Sequence, residues 1–209
     1  MLRLQYILRF RRSMETFREM MLDRGCKDKF LCNDKRYKEW VEKLIEETIK
    51  SDTGFFHTEF TNYRDPKQNV HCMVSMVRKP KLAQLRQEMK KVKHPILIVI
   101  SLFPMSSNNE KYLSSAVHPD MRIQLMYSSQ LQINITKNVF VPKHTLVTAD
   151  QKTALFKKMR IDESQLNEFP LLSRKDPIVL YYDFPIGSLI QIERELPFIG
   201  NTLYYRWIR

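Results

Sequence analysis

The chain predicts an α/β (α+β) protein of two domains, an N-terminal α/β domain over residues 1–138 and a small C-terminal α/β domain with a mixed sheet over residues 139–209. Three observations predict it. Apolar residues at helical spacing alternate with short β-prone runs through the first half of the chain. The run from Pro95 to Phe103 is dense in Ile, Val and Leu, the composition of a strand buried on both faces. Beyond Val139 the elements shorten and the turn chemistry sharpens. With 209 residues, 43% of them hydrophobic and 28% charged, the chain can bury a core without a metal or disulfide staple and is too apolar to be disordered.

Ile7, Phe10, Met14, Phe17 and Met21 recur at spacings of three and four, one face of a helix that Gly25 is suited to end. Tyr37, Trp40, Val41, Leu44 and Ile45 repeat the spacing, with Asn33 or Asp34 available as the N-cap. Phe56, Thr58 and Phe60 alternate with polar neighbours and predict a strand, as does His71 to Val77. Lys81 to Lys91 has helical composition, and Asn108 to Ala116 predicts a short helix. Met121 to Thr136 is expected to end in a strand around Leu131 to Ile135. In the second domain Thr148 and Gln151 have the spacing of a capping box, ahead of a helix carrying Leu155, Phe156 and Met159. Asp176 followed by Pro177 offers an N-cap carboxylate and a proline at the first helical position, so Ile178 to Tyr182 reads as a helix. Gly187 permits a turn into Leu189 to Arg194, and Thr202 to Ile208 alternates as its antiparallel partner.

The net charge of +12 is uneven: residues 1–138 hold 25 basic against 15 acidic side chains, residues 139–209 hold 10 against 8. Such an excess suits a polyanionic partner, whether DNA, RNA or a membrane surface, and equally suits a soluble lysine-rich surface. Cys26, Cys32 and Cys72 are odd in number and form no CxxC pair, so neither a disulfide framework nor a zinc ribbon is indicated. No apolar run is long enough to span a bilayer and the N-terminus has no convincing signal peptide, so a nuclear or cytoplasmic soluble protein without membrane partners is expected.

Catalytic signals are sparse. The five histidines, at 57, 71, 94, 118 and 144, form no HxxxH or HExxH pattern. Four glycines leave no phosphate-cradling loop, and GxSxG is missing. Asp65 with Glu88 and Lys90 has the residue types of a magnesium nuclease, yet Glu88 and Lys90 fall in a helical pattern, where residues two apart face different directions. No cofactor is expected. Ser106, Ser107, Asn108 and Asn109 beside Lys111 form a loop of small hydrogen-bonding residues, which suits phosphate contact or an ordinary polar loop.

Ile133-Asn134-Ile135-Thr136, Val141-Pro142-Lys143-His144, Glu163-Ser164-Gln165-Leu166, Asp176-Pro177, Gly187, Ile192, Arg194, Gly200 and Tyr205-Arg206 together resemble the assembly domain of the fifth subunit of eukaryotic multisubunit RNA polymerases, whose archaeal counterpart lacks the jaw domain. A fainter echo, Glu19-Met20-Met21 with Asp23-Arg24-Gly25, is similar to the opening helix of that eukaryotic jaw domain. The resemblance implies a non-catalytic subunit, present in one copy. Its C-terminal domain would dock on the largest polymerase subunit, and its jaw would reach towards downstream double-stranded DNA, with Ser106 to Lys111 near the DNA-proximal loop. It implies a nuclear protein, or a viral homologue working in a viral factory or virion in the host cytoplasm. Pro142, His144, Asp176, Pro177, Gly187, Arg194, Tyr205 and Arg206 carry the motif. Asp176, Pro177 and Gly187 read as structural punctuation, while Arg194 and Arg206 would pair with acidic groups of the large subunit or inside the domain. Two departures stand out: Asp183 where the family has glycine, and Glu195-Leu196-Pro197-Phe198 in the last hairpin. The rivals are a stand-alone magnesium-dependent nuclease and a transcription adaptor.

Overall fold

The computed structural model describes residues 2–26, 28–50, 54–61, 69–114, 121–196 and 200–209. The chain divides into two compact units, Met1–Ile133 and Asn134–Arg209, so the structural division precedes the expected position 138. Asp65 and residues 197–199 lie outside the described residues.

In the first unit, α1 (Leu2–Asp23), α2 (Lys29–Cys32) and α3 (Asp34–Lys50) precede β1 (Phe55–Phe60), β2 (Val70–Ser75), α4 (Leu82–Met89), β3 (Ile96–Ser101), α5 (Ser107–Ser114) and β4 (Arg122–Tyr127). The sheet order is β1-β2-β3-β4, with β1 antiparallel to β2 and the β2-β3-β4 pairs parallel. Helices α4 and α5 are the crossovers that parallel neighbours require. Every residue of β2 and β3 is buried, and the Ile/Val-rich composition of β3 reflects burial on both faces. One face carries Met73, Leu97 and Val99 under Leu85 and Met89 of α4 and Leu113 of α5. The opposite face meets the N-terminal helices: Phe17 of α1 lies 5.9 Å, ring to ring, from Phe60 of β1, which also stacks with Phe30 at 6.3 Å.

Several buried polar groups here are matched. The Tyr37 hydroxyl donates to the Met14 carbonyl at 2.8 Å. Asp28, 6% exposed, accepts from the Phe30 and Leu31 N–H groups with one oxygen and from the Thr61 N–H and hydroxyl with the other. That one carboxylate caps α2 and ties it to the end of β1. Asn33 is the cap of α3, its Oδ1 accepting from Arg36 N–H at 3.1 Å.

The strand expected around Leu131 to Ile135 is corrected. The strand is β4, ending at Tyr127, and the following residues turn. Local hydrogen bonds hold them there: Gln132 Nε2 donates to the Ser128 and Arg9 carbonyls at 2.7 and 3.0 Å, Leu131 is buried, and Asn134 Oδ1 caps a 3-10 turn at Ile135–Lys137. A β-branched composition lost to side-chain caps.

The second unit holds β5 (Lys143–Leu146), α6 (Ala149–Met159), β6 (Leu171–Leu172), α7 (Pro177–Tyr182), β7 (Leu189–Leu196) and β8 (Gly200–Ile208). Its mixed sheet has the order β5-β7-β8-β6, antiparallel except for the β6-β8 pair. The Thr148–Gln151 capping box forms, with Gln151 N–H donating to Thr148 Oγ1 at 3.3 Å and Thr148 N–H to Gln151 Oε1 at 3.0 Å. Ile190, Ile192, Ile208 and Leu172 share one sheet face and pack with Val179 of α7. On the other face Lys152 of α6 lies over the rings of Phe156 and Trp207. Asp183 ends α7 in the left-handed conformation at φ 55°, which accounts for glycine suiting this position in the family it resembles.

Candidate functional site

The motif residues of the second unit converge on its sheet. Asn134 donates from Nδ2 to the Tyr181 hydroxyl at 3.0 Å, fixing the start of the unit to α7. Asp176 Oδ1 accepts from Ile178 N–H at 2.9 Å and Pro177 occupies the first turn, as the capping argument requires. Gly187 sits at φ 79° and donates its N–H to the Ile208 carbonyl at 3.0 Å, so a left-handed turn delivers the chain into β7. His144 pairs in register with Ile192, and its Nδ1–H donates to the Pro142 carbonyl at 2.7 Å.

Three charged motif residues surround that histidine. Burial lowers the His144 pKa; the bond to Pro142 and the Asp176 carboxylate work upward, and Arg194 and Arg206 add to the lowering. Residues 62 positions apart in sequence, 144 and 206, therefore feel one another's charge because β5, β7 and β8 lie side by side. Arg194 also lies over the Tyr204 ring at 5.4 Å, and Tyr205 OH donates to Gln191 Oε1 at 3.4 Å. The arrangement is a positioned sheet surface with a neutral imidazole. It contains no nucleophile activated by a base.

In the first unit the expected loop is corrected: Ser106 precedes α5, Ser107 and Asn108 open it and Lys111 lies in its last turn, all four exposed. Asn109 differs: it is 1% exposed, and its Nδ2 donates to the Pro80 carbonyl at 2.8 Å, so it anchors the helix to the loop before α4. The sequence reading missed this, since a buried asparagine among small polar neighbours has no signature of its own.

It also missed a histidine cluster. Glu59 and His71 are direct partners across β1 and β2, and His57 lies two residues before Glu59 on the same strand face. His57 Nε2 meets Glu88 Oε2 of α4 at 2.7 Å, and His57 Nδ1 meets His71 Nε2 at 2.8 Å. The buried His71 Nδ1 lies 3.7 Å from Glu59 Oε1 and makes no hydrogen bond. His94 Nε2 lies 3.2 Å from the other Glu59 oxygen. Among the described residues no group of three or more His, Cys, Asp or Glu is placed to hold a metal ion. Glu88 is engaged by His57 and by Lys91 at 2.7 Å, while Lys90 is exposed beyond the end of α4, so these two do not form a shared magnesium site.

The cluster sets a pH dependence. Burial, then the neighbouring His57, lowers the His71 pKa, with His94 and Lys93 adding to this and Glu59 opposing it. For Glu88 burial works upward, but the hydrogen bonds from Lys91 and His57 outweigh it and lower the pKa. His71 binds fewer protons folded than unfolded, so its contribution is complete above the ordinary histidine pKa of about 6.5 and is lost as pH falls through the folded value. The Glu88 contribution is lost in a lower window, below about 4.3. Urea unfolding at pH 7.5 and 5.5 is expected to give a lower midpoint at 5.5. Equal midpoints would contradict this account of the cluster.

Comparison with known proteins assigns the second unit. This small mixed α/β sheet module matches the family model described as RNA polymerase Rpb5, C-terminal domain, over residues 133–208. The chain is 37% identical over 75 residues to the DNA-directed RNA polymerase subunit Rpo5 of Pyrococcus abyssi, covering 36% of this chain and 88% of that one. It is 38% identical over 87 residues to the DNA-directed RNA polymerases IV and V subunit 5B of Arabidopsis thaliana, covering 42% of this chain and 38% of that one. With the DNA-directed RNA polymerases I, II, and III subunit rpabc1 of Dictyostelium discoideum it shares 35% identity over 78 residues, 37% of this chain and 38% of that one. The chain belongs to this family of RNA polymerase fifth subunits, Rpb5 and Rpo5. Its matches span between 31% and 41% of the length of the first eukaryotic relatives. These relatives are cellular and give no support to a viral source.

Proposed function

We propose that the chain is a non-catalytic subunit of a DNA-directed RNA polymerase, one copy per complex, working in the nucleus. Its C-terminal unit docks on the largest subunit and its N-terminal unit contributes to the jaw that holds downstream duplex DNA. The observation that carries the reading is the archaeal match. A protein named as a polymerase subunit is covered over 88% of its length by 75 residues of this chain, about the length of the C-terminal unit that the family model matches, which supports that unit as the part suited to assembly. The basic excess of residues 1–138 suits phosphate contact by the other part. Affinity purification of the tagged full chain from its native source is expected to recover the two largest polymerase subunits. Their absence would overturn the reading.

The jaw assignment has its own test. Ser106, Ser107, Asn108 and Lys111 are exposed and suited to phosphate contact, with Asn109 holding their helix in place. Binding of duplex DNA by the full chain should weaken steeply with salt, and Lys111→Ala should reduce the slope of log K against log salt by about one, whatever the DNA sequence. An unchanged slope would remove Lys111 from the interface.

A further inference from the structure

Val139 and Phe140 are 95% and 92% exposed, adjacent to each other at the start of the second unit. Single apolar side chains on a surface are ordinary, but a fully exposed pair held on an ordered turn is not. The turn is thoroughly bonded. Asn134 Oδ1 accepts from the Thr136 N–H at 3.0 Å and the Thr136 hydroxyl at 2.6 Å, and its amide is fixed to Tyr181 of α7. Asn138 N–H donates to the Ile135 carbonyl at 3.2 Å. Asn138 Oδ1 then accepts from Phe140 N–H at 3.0 Å, and its carbonyl accepts from Val141 N–H at 2.9 Å. Backbone order is thus set at both sides of two side chains that contact almost nothing in the unit.

We propose that the Val139–Phe140 tip is the anchor that inserts into an apolar pocket of a neighbouring polymerase subunit. This inference rests on the subunit reading. The occupant follows from the relatives: archaeal polymerase subunits of Pyrococcus and Thermococcus are matched over 88% and 95% of their lengths by 75 and 81 residues of this chain, about the length of this unit, and the family model covers residues 133–208, so a docking surface belongs on this unit. Its other surface-exposed large apolar side chains, such as Leu171 at 50% and Ile186 at 59%, retain much more cover from the unit itself. Lys143, exposed at the start of β5, favours an acidic rim on the pocket. Aromatic side chains, Phe among them, are enriched in the buried cores of interfaces, and a pre-ordered turn lowers the entropy lost on binding. The tip therefore commits the unit to a partner, since it adds little to the unit's own core.

The test uses the tagged full chain in its native source, as wild type, as a Val139→Ser and Phe140→Ser double variant, and as Phe140→Leu. The ratio of the two largest polymerase subunits to tagged chain is read by mass spectrometry, and thermal melting is read on each purified protein. The double variant is expected to lower the ratio at least tenfold with an unchanged melting curve, and Phe140→Leu to keep most of it. A double variant that recovers polymerase like the wild type overturns the anchor and leaves the subunit reading standing. A lowered melting temperature also overturns it, because the pair would then serve the fold. A wild type that recovers no polymerase overturns the subunit reading and the anchor together.

Discussion

Ile190→Ala is expected to cost the second unit about 2–5 kcal/mol, the range for emptying a well-packed buried site. Ile190 is 0% exposed on β7, the strand between β5 and β8, and it packs with Leu172, Val179, Ile192 and Ile208. Four side chains from three strands and a helix lose a common neighbour, and a sheet of short strands has little freedom to collapse into the space. Small domains are stable by only about 5–15 kcal/mol, so a large part of the margin goes. With a urea m-value of about 1.5 kcal/mol/M the midpoint should fall by roughly 1–3 M. Trp207 on β8 reports it once Trp40 is replaced by Phe. A shift under about 0.5 M would show that the β7 face is not the core of this unit.

Phe17→Ala is the matching experiment in the first unit, with an expected cost of about 3–5 kcal/mol. Phe17 is 0% exposed, 5.9 Å from the Phe60 ring, and Phe60 in turn meets Phe30 and Trp40. Removing the ring takes away both its buried area and a tilted aromatic contact, the latter worth about 0.5–1.5 kcal/mol. Trp40, 6.5 Å from Phe60, should report an earlier transition when Trp207 is replaced by Phe. A transition unchanged from that of the parent would contradict the packing of α1 on the β1 face.

The sequence made the elements visible wherever chemistry was local. Phe10, Met14, Phe17 and Met21 mark the buried stripe of α1, and Thr148 with Gln151 marks the start of α6, because helix periodicity and capping are read within a few residues. The Asp176-Pro177 cap and the Gly187 turn were legible for the same reason. Leu131 to Ile135 failed because strand propensity is a weak preference, and the bonds of Gln132 and Asn134 side chains outweighed it. The His57, His71 and Glu88 cluster was illegible for a different reason. It depends on the register of β1 against β2 and on where α4 crosses the sheet, neither of which a sequence spacing encodes. One clue existed, the alternation of His57 and Glu59 on a single strand face. In the second unit the motif residues could be recognised as a set, while their convergence on His144 required the β5-β7-β8 pairing.

The central claim is that this family member works as a polymerase subunit. The most direct measurement follows transcription activity from the native source through successive chromatographic steps and quantifies this chain against the largest polymerase subunit by mass spectrometry. The account predicts that the chain follows the activity to the last step at about one copy per largest subunit. A fully active polymerase preparation that lacks the chain, or retains it only in trace amounts, would contradict it.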